Sequence, residues 1–134
     1  MPFYVDSTAL VKRYVEEVDS ETAEALLASD PRWVTAGHAY VEIALALHRR
    51  LGELARREAM AAFEADWERT FVVAIDETVC RRAAEIGTMT GARTLDALHL
   101  AAAERAGGRS IPVLTFDVRL AETARRLGFT VLGI

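Results

Sequence analysis

The stretch PFYVDSTAL, residues 2–10, sets a pattern that the chain repeats: a short apolar, aromatic and β-branched run stops at an acid, Asp6, and passes directly into helical spacing. The run reads as a buried strand. The segment after it, STALVKRYVEE, puts Leu10, Val11 and Tyr14 at helical spacing, with Asp6 or Ser7 as the N-cap. The design returns in IPVLTFDVRL, residues 111–120, where the strand ends at Asp117, and in FVVAID, residues 71–76, where it ends at Asp76.

Outward from these stretches, RWVTA before Gly37 and FTVLGI at the end read as further strands. SETAEALLAS, HAYVEIALALHRRLG, LARREAMAAFEADWER, residues 78–90, TLDALHLAAAERAGG and VRLAETARRLG read as helices, several closed by glycine or by Asp30-Pro31. In the third of the chain's helices, Val41, Ala44, Leu45, His48 and Leu51 share one face, and this is the expected core face. Strands alternating with helices imply an α/β fold: a mostly parallel central sheet of four to five strands with helices on both faces. With 134 residues, 51% of them hydrophobic, the chain suits one domain spanning residues 1–134.

No apolar run approaches the roughly 20 residues of a membrane span, and Asp6 stands where a signal peptide is apolar, so a cytoplasmic, membrane-free protein is expected. The only cysteine, Cys80, has no disulfide partner in the chain and reads as a structural thiol. A net charge of −4, from 16 basic and 20 acidic residues, excludes a broadly basic nucleic-acid binder.

In an open α/β sheet, ligands bind beyond the carboxyl ends of the strands, which makes Asp6, Asp76 and Asp117 candidates. Each also has an ordinary explanation as a helix N-cap. Asp96 in TLDALHLAAA opens the apolar stripe of its helix, where it is either a functional acid or a first-turn residue favoured by the helix dipole. Glu42 in AYVEIALAL is flanked by apolar residues, and is either a site acid or on an exposed face. Four carboxylates drawn to one sheet edge would repel one another unless a cation lay between them, and hard oxygen ligands select Mg²⁺ or Mn²⁺. Setting Asp6, Glu42, Asp96 and Asp117 aside leaves acids and bases equal in number, which is consistent with such a site. His38, His48 and His99 are scattered along the sequence and form no zinc motif. A carboxylate-held divalent ion that polarises a phosphoryl oxygen and acidifies a water points to phosphodiester hydrolysis.

FYVDSTALVKRYVEE, VEIALAL, ARTLDALHLAAA and VLTFDVRLAETARRLGFTVL, in this order and spacing, resemble the PIN-domain ribonucleases, specifically the VapC-type toxins of toxin–antitoxin pairs. The resemblance implies that Asp6, Glu42, Asp96 and Asp117 are the catalytic, metal-binding acids, and that Ser7 and Thr115 lie near the ion or substrate. It implies RNA hydrolysis leaving a 5′-phosphate and a 3′-hydroxyl, an antitoxin partner of the VapB type whose C-terminal segment fills the active site, and a homodimer. Asp76 matches no metal position and is read as an N-cap. Lys12, Arg13, Arg93 and Arg119 are candidates for holding RNA phosphates, and His99 for packing beside the site. Trp33, Trp67, Phe63 and Met60 are expected in the core or at an interface.

Two other classes fit less well. A receiver-type signalling domain wants a lysine near the end of a late strand, and the only lysine is Lys12 in the first helix. An aspartyl phosphatase wants an acid two residues after its nucleophile, and that position is Thr8. A PIN fold that binds RNA or a protein without cutting is the remaining alternative.

Overall fold

The computed structural model describes residues 1–134. It contains β1 (Phe3–Val5), α1 (Ser7–Tyr14), α2 (Ser20–Ala28), β2 (Trp33–Ala36), α3 (Gly37–Arg50), α4 (Glu53–Glu68), β3 (Phe71–Val73), α5 (Glu77–Thr90), α6 (Thr94–Gly107), β4 (Val113–Thr115), α7 (Val118–Arg126) and β5 (Val131–Gly133). The five strands are parallel and lie in the order β3-β2-β1-β4-β5. The chain therefore builds outward from β1 in one direction, then returns to its other side with β4. The gap between the ends of β1 and β4 is the topological switch point, where such sheets bind ligands.

Alternation along the strands splits the core between two faces. Phe3 and Val5 of β1 and Leu114 of β4 pack with Leu10, Leu27, Ile43, Leu47 and Phe63 from α1–α4. Tyr4 and Val113 point the other way, into Ile86, Leu100, Leu120 and the alanines of α6. These small residues, Ala101 to Ala103, are all buried and let α6 lie close against the sheet. Gly91, left-handed at φ 75, ends α5 and returns the chain so that Arg93 stands at the start of α6.

The expected core face of α3 is corrected. Ala39, Ile43 and Leu47 face the sheet, whereas Val41 and Leu45 are 56% and 43% exposed. The helix carries two apolar stripes, and periodicity alone does not say which one meets the sheet. Phe63 is core, with Tyr40 and Trp67 edge-on or tilted against it, and Met60 packs on the same cluster. Trp33 is half-buried and donates its indole N–H to the Leu27 carbonyl at 3.0 Å. Cys80 is exposed rather than buried. No helix is long and apolar enough to cross a membrane.

Candidate active site

Asp6 ends β1 and caps α1, accepting the Ala9 backbone N–H at 3.0 Å. Its carboxylate is only 2% exposed and also accepts the Thr8 hydroxyl, at 2.7 and 2.9 Å to its two oxygens, and the Thr115 hydroxyl at 2.5 Å. Burial pushes its carboxyl up, and the nearby His99 and these donors only partly offset that. No Arg or Lys reaches it. A buried carboxylate with hydroxyl and amide donors but no ion partner suits a divalent cation of the hard, oxygen-seeking kind.

Asp117 is the equivalent residue of β4, capping α7 through the Leu120 N–H at 3.1 Å. Thr115 links the two acids, because its hydroxyl oxygen also accepts the Asp117 backbone N–H at 3.0 Å. Asp96, on the first turn of α6, is buried, and Arg93 joins it to Asp117: the guanidinium donates to Asp96 at 2.8 Å and to Asp117 at 2.9 Å. Burial pushes the Asp117 carboxyl up, but the Leu120 N–H and Arg93 outweigh it and the net shift is downward. Two carboxylates sharing one guanidinium already hold a positive charge between them, the same electrostatic demand that a cation meets.

Glu42 projects from α3 across the cleft. His99 on α6 donates from Nε2 to its Oε1 at 2.8 Å, and the buried Tyr4 hydroxyl lies 2.6 Å from His99 Nδ1. A carboxylate only accepts, so Nε2 carries a proton, and in the neutral imidazole Nδ1 then accepts from the Tyr4 hydroxyl. Burial pushes the Glu42 carboxyl up, yet the His99 hydrogen bond and the proximity of His99, His38 and Ser7 turn the net shift downward, leaving Glu42 ionised.

The expectation that the histidines are scattered is also corrected. His38 and His99 stack with ring centroids 4.1 Å apart, both beside Glu42. Burial, then the proximity of His99, pushes the His38 imidazole down to about 4, so it is neutral at pH 7. One set of three residues has all its ligand atoms within 4.8 Å of one another, and it is His38, Glu42 and His99 rather than the four acids. Asp6, Asp96 and Asp117 connect instead through Thr115 and Arg93. His38 stands four residues before Glu42, an (i, i+4) spacing that was visible in the sequence. Thr8 and Tyr4 carried no comparable signal.

A cleft of about 810 Å³ is lined by Ser7, Thr8, Lys12, His38, Glu42 and Asp117, with Val11, Val41, Leu45 and Phe116 on its apolar wall. Lys12 lies 5.1 Å over the Phe116 ring and 3.8 Å from Glu17. A neighbouring groove holds Asp96, Arg93, Arg119 and Arg126. Arg13 points elsewhere, into Asp66 and Glu24, so it is not a site residue. Asp76 caps α5 at the end of β3, with its carboxylate accepting the Val79 N–H at 2.9 Å.

The family model of the PIN domain matches residues 3–126. The chain belongs to the PIN domain family. Within it, this PIN domain is 33% identical over 133 residues to ribonuclease VapC46 of Mycobacterium tuberculosis, covering 97% of this chain and 95% of the relative. The fold matches the crystal structure of VapC20 of M. tuberculosis, described as a sarcin-ricin loop cleaving toxin, with TM-score 0.74 and 22% identity over 90% of this chain and 93% of that one. It also matches a toxin-antitoxin complex from Klebsiella pneumoniae, with TM-score 0.68 and 13% identity over 87% and 88% of the two chains.

Proposed function

We propose that this PIN domain is the toxin of a type II toxin–antitoxin pair, a divalent-metal-dependent endoribonuclease whose catalytic acids are Asp6, Glu42, Asp96 and Asp117. The observation that carries the reading is Asp6, a buried carboxylate at the switch point between β1 and β4 that no Arg or Lys reaches and whose carboxyl burial pushes up despite the nearby His99. Relatedness to a VapC ribonuclease along nearly the whole chain supports the activity.

These four acids would hold Mg²⁺ or Mn²⁺, and the bound ion would supply polarisation of a phosphoryl oxygen and a water of lowered pKa. Asp6 and Asp96 are the direct holders, since a strand end fixed by Thr8 and Thr115 and a rigid helix keep their carboxylates in place. Asp117 completes the acidic group from beside Asp96, directly or through water. Glu42, held ionised and oriented by His99, accepts a proton from the attacking water or aligns it. Water adds to phosphorus as its proton leaves, the bond to the 3′ oxygen breaks, and that oxygen takes a proton from solvent and leaves as a hydroxyl. Thr115 keeps Asp6 in register, and Ser7 lines the cleft beside Glu42. Lys12 and Arg93, with Arg119 exposed in the adjacent groove, neutralise the RNA backbone.

The substrate is cytoplasmic RNA: a tRNA, rRNA or mRNA. The apolar wall of the cleft, with Val41 and Leu45 exposed beside Lys12, Arg49 and Arg50, suits a VapB-type antitoxin segment bearing apolar and acidic side chains. A homodimer belongs to the same reading, and light scattering on the purified protein measures it.

The test uses purified protein and total RNA with 5′-end sequencing. Cleavage at discrete sites is expected in Mg²⁺ or Mn²⁺, stopping with chelator and absent in Asp6→Asn and Asp96→Asn. Full activity in both folded variants sinks the assignment.

A further inference from the structure

The carboxylate reading leaves one group unused. Both ring nitrogens of His38 are buried and make no hydrogen bond, although the Leu95 carbonyl lies close by. Buried polar groups almost always have a partner, so two unpaired nitrogens in a cleft wall call for an explanation, and a ligand is one. Its neighbours are a carboxylate and a second imidazole: His38 Nε2 lies 3.8 Å from Glu42 Oε1, and His99 Nε2 lies 2.8 Å from the same oxygen.

We propose that His38, Glu42 and His99 form a second cation site, separate in chemistry from the four-acid site, which takes a borderline transition-metal ion of the Zn²⁺ class and silences RNA hydrolysis by engaging Glu42. The silencing half rests on the function proposed above, whereas the binding half does not.

The donor set fixes the class of ion. Two imidazoles and one carboxylate are the ligands of Zn²⁺, Co²⁺ and Ni²⁺, whereas Mg²⁺ keeps to oxygen and to six-fold coordination. Metal–ligand bonds of about 2.0–2.1 Å put tetrahedral donors about 3.3 Å apart. The observed separations, 2.8 Å, 3.8 Å and none above 4.8 Å, straddle that value.

The surroundings fit as well. For His99 to ligate through Nε2, its proton must shift to Nδ1, and the group facing Nδ1 is the Tyr4 hydroxyl, which turns from donor to acceptor. The tautomer exchange releases no net proton. Such an oriented partner behind a ligating histidine is the usual support of a metal site. His38 and Glu42 both line the cleft, so solvent reaches the group from that side. Glu42 belongs to both ion sites, and an ion drawn to the imidazoles takes it from the hydrolytic one.

The experiment titrates metal-stripped, full-length protein with Zn²⁺ against a chromogenic indicator, in excess Mg²⁺. One Zn²⁺ per chain is expected, kept in Asp96→Asn. The affinity is expected to fall at least about 10-fold in His38→Gln, since even the partners that orient a ligand are worth about 10–100-fold. In the wild-type protein, Co²⁺ is expected to show the visible absorption of a four-coordinate site with nitrogen ligands, a readout that depends on no variant folding. In the RNA assay, Zn²⁺ is expected to stop wild-type cleavage in excess Mg²⁺ and to leave His38→Gln active. No retained Zn²⁺, retention unchanged by His38→Gln, or retention lost in Asp96→Asn overturns the site. Tight binding with unimpeded cleavage overturns the silencing. A wild-type protein that cuts no RNA breaks the proposed function, while the indicator and Co²⁺ measurements still decide the metal site.

Discussion

Two buried aspartates, one at the strand ends and one in the helical layer beside them, are treated in opposite ways. Asp66 on α4 is 5% exposed and receives Arg13 at 2.7 Å, the Tyr14 hydroxyl at 2.6 Å and Arg69 at 2.6 Å. Burial pushes its carboxyl up, but Arg13 and Tyr14 more than reverse this and hold it below the usual carboxylate range. Asp6, also buried, is left above that range because burial outweighs the nearby His99, two hydroxyls and one amide, and no Arg or Lys reaches it. The protein finishes the charge balance of its structural acid internally and leaves that of the strand-end acid to a ligand. Burial alone therefore does not mark a functional carboxylate; what sets Asp6 apart from Asp66 is burial without an Arg or Lys partner.

The largest effect expected from breaking this contrast is on chemistry. Asp6→Asn and Asp96→Asn are each expected to lower RNA cleavage by about a thousandfold or more, since ion-assisted catalysis is worth several kcal/mol and each 1.36 kcal/mol is tenfold. Asp66→Asn, assayed alongside, is expected to cut RNA at the wild-type rate. Its cost falls on stability instead, about 2 kcal/mol for hydrogen bonds to charged groups, read as a lower melting temperature.

Acidity separates the pair further. The depressed Asp66 contributes stability that is complete above the unfolded value of about 3.9 and disappears as the pH falls through its lower folded value. The raised Asp6 works in reverse: its contribution is complete below about 3.9 and is lost as the pH rises through the folded value, so in chelator at pH 7 it burdens the fold. Asp6→Asn is expected to melt higher than wild type there, with the advantage vanishing in acid and reversing when Mg²⁺ is added. Thermal melts at the two pH values, with and without metal, measure this.

A smaller change is expected at Arg93. Without its guanidinium, Asp96 and Asp117 have no shared partner, so Arg93→Gln is expected to bind Mn²⁺ more tightly by calorimetry. The same variant is expected to bind RNA more weakly, with a salt slope reduced by about 1. The smallest effect is at Asp76, where Asp76→Ala is expected to cost about 1 kcal/mol of stability and no activity, as befits a cap.

That last residue explains what sequence could and could not deliver. Asp6, Asp76 and Asp117 are indistinguishable locally: each ends a strand run and caps a helix through the N–H three residues on. Only strand order separates them, with β1 and β4 adjacent at the centre and β3 at an edge. The alternation of strands and helices was legible because apolar runs and caps are local. The face that α3 turns to the sheet was not, because both of its stripes are apolar. Nor was the meeting of His38 with His99, which depends on α3 and α6 converging across the sheet. The link from Thr115 to Asp6 spans 109 residues and has no local trace.

That span has a consequence in time. At synthesis rates of about 5–20 residues per second, Asp6 emerges from the ribosome roughly 5–20 s before the Thr115 that holds it. Tyr4 likewise waits for Val113 before the central strand has both neighbours. The site is complete only once the chain has been made as far as Asp117, and a chain whose translation stops before that residue is a protein without a blade.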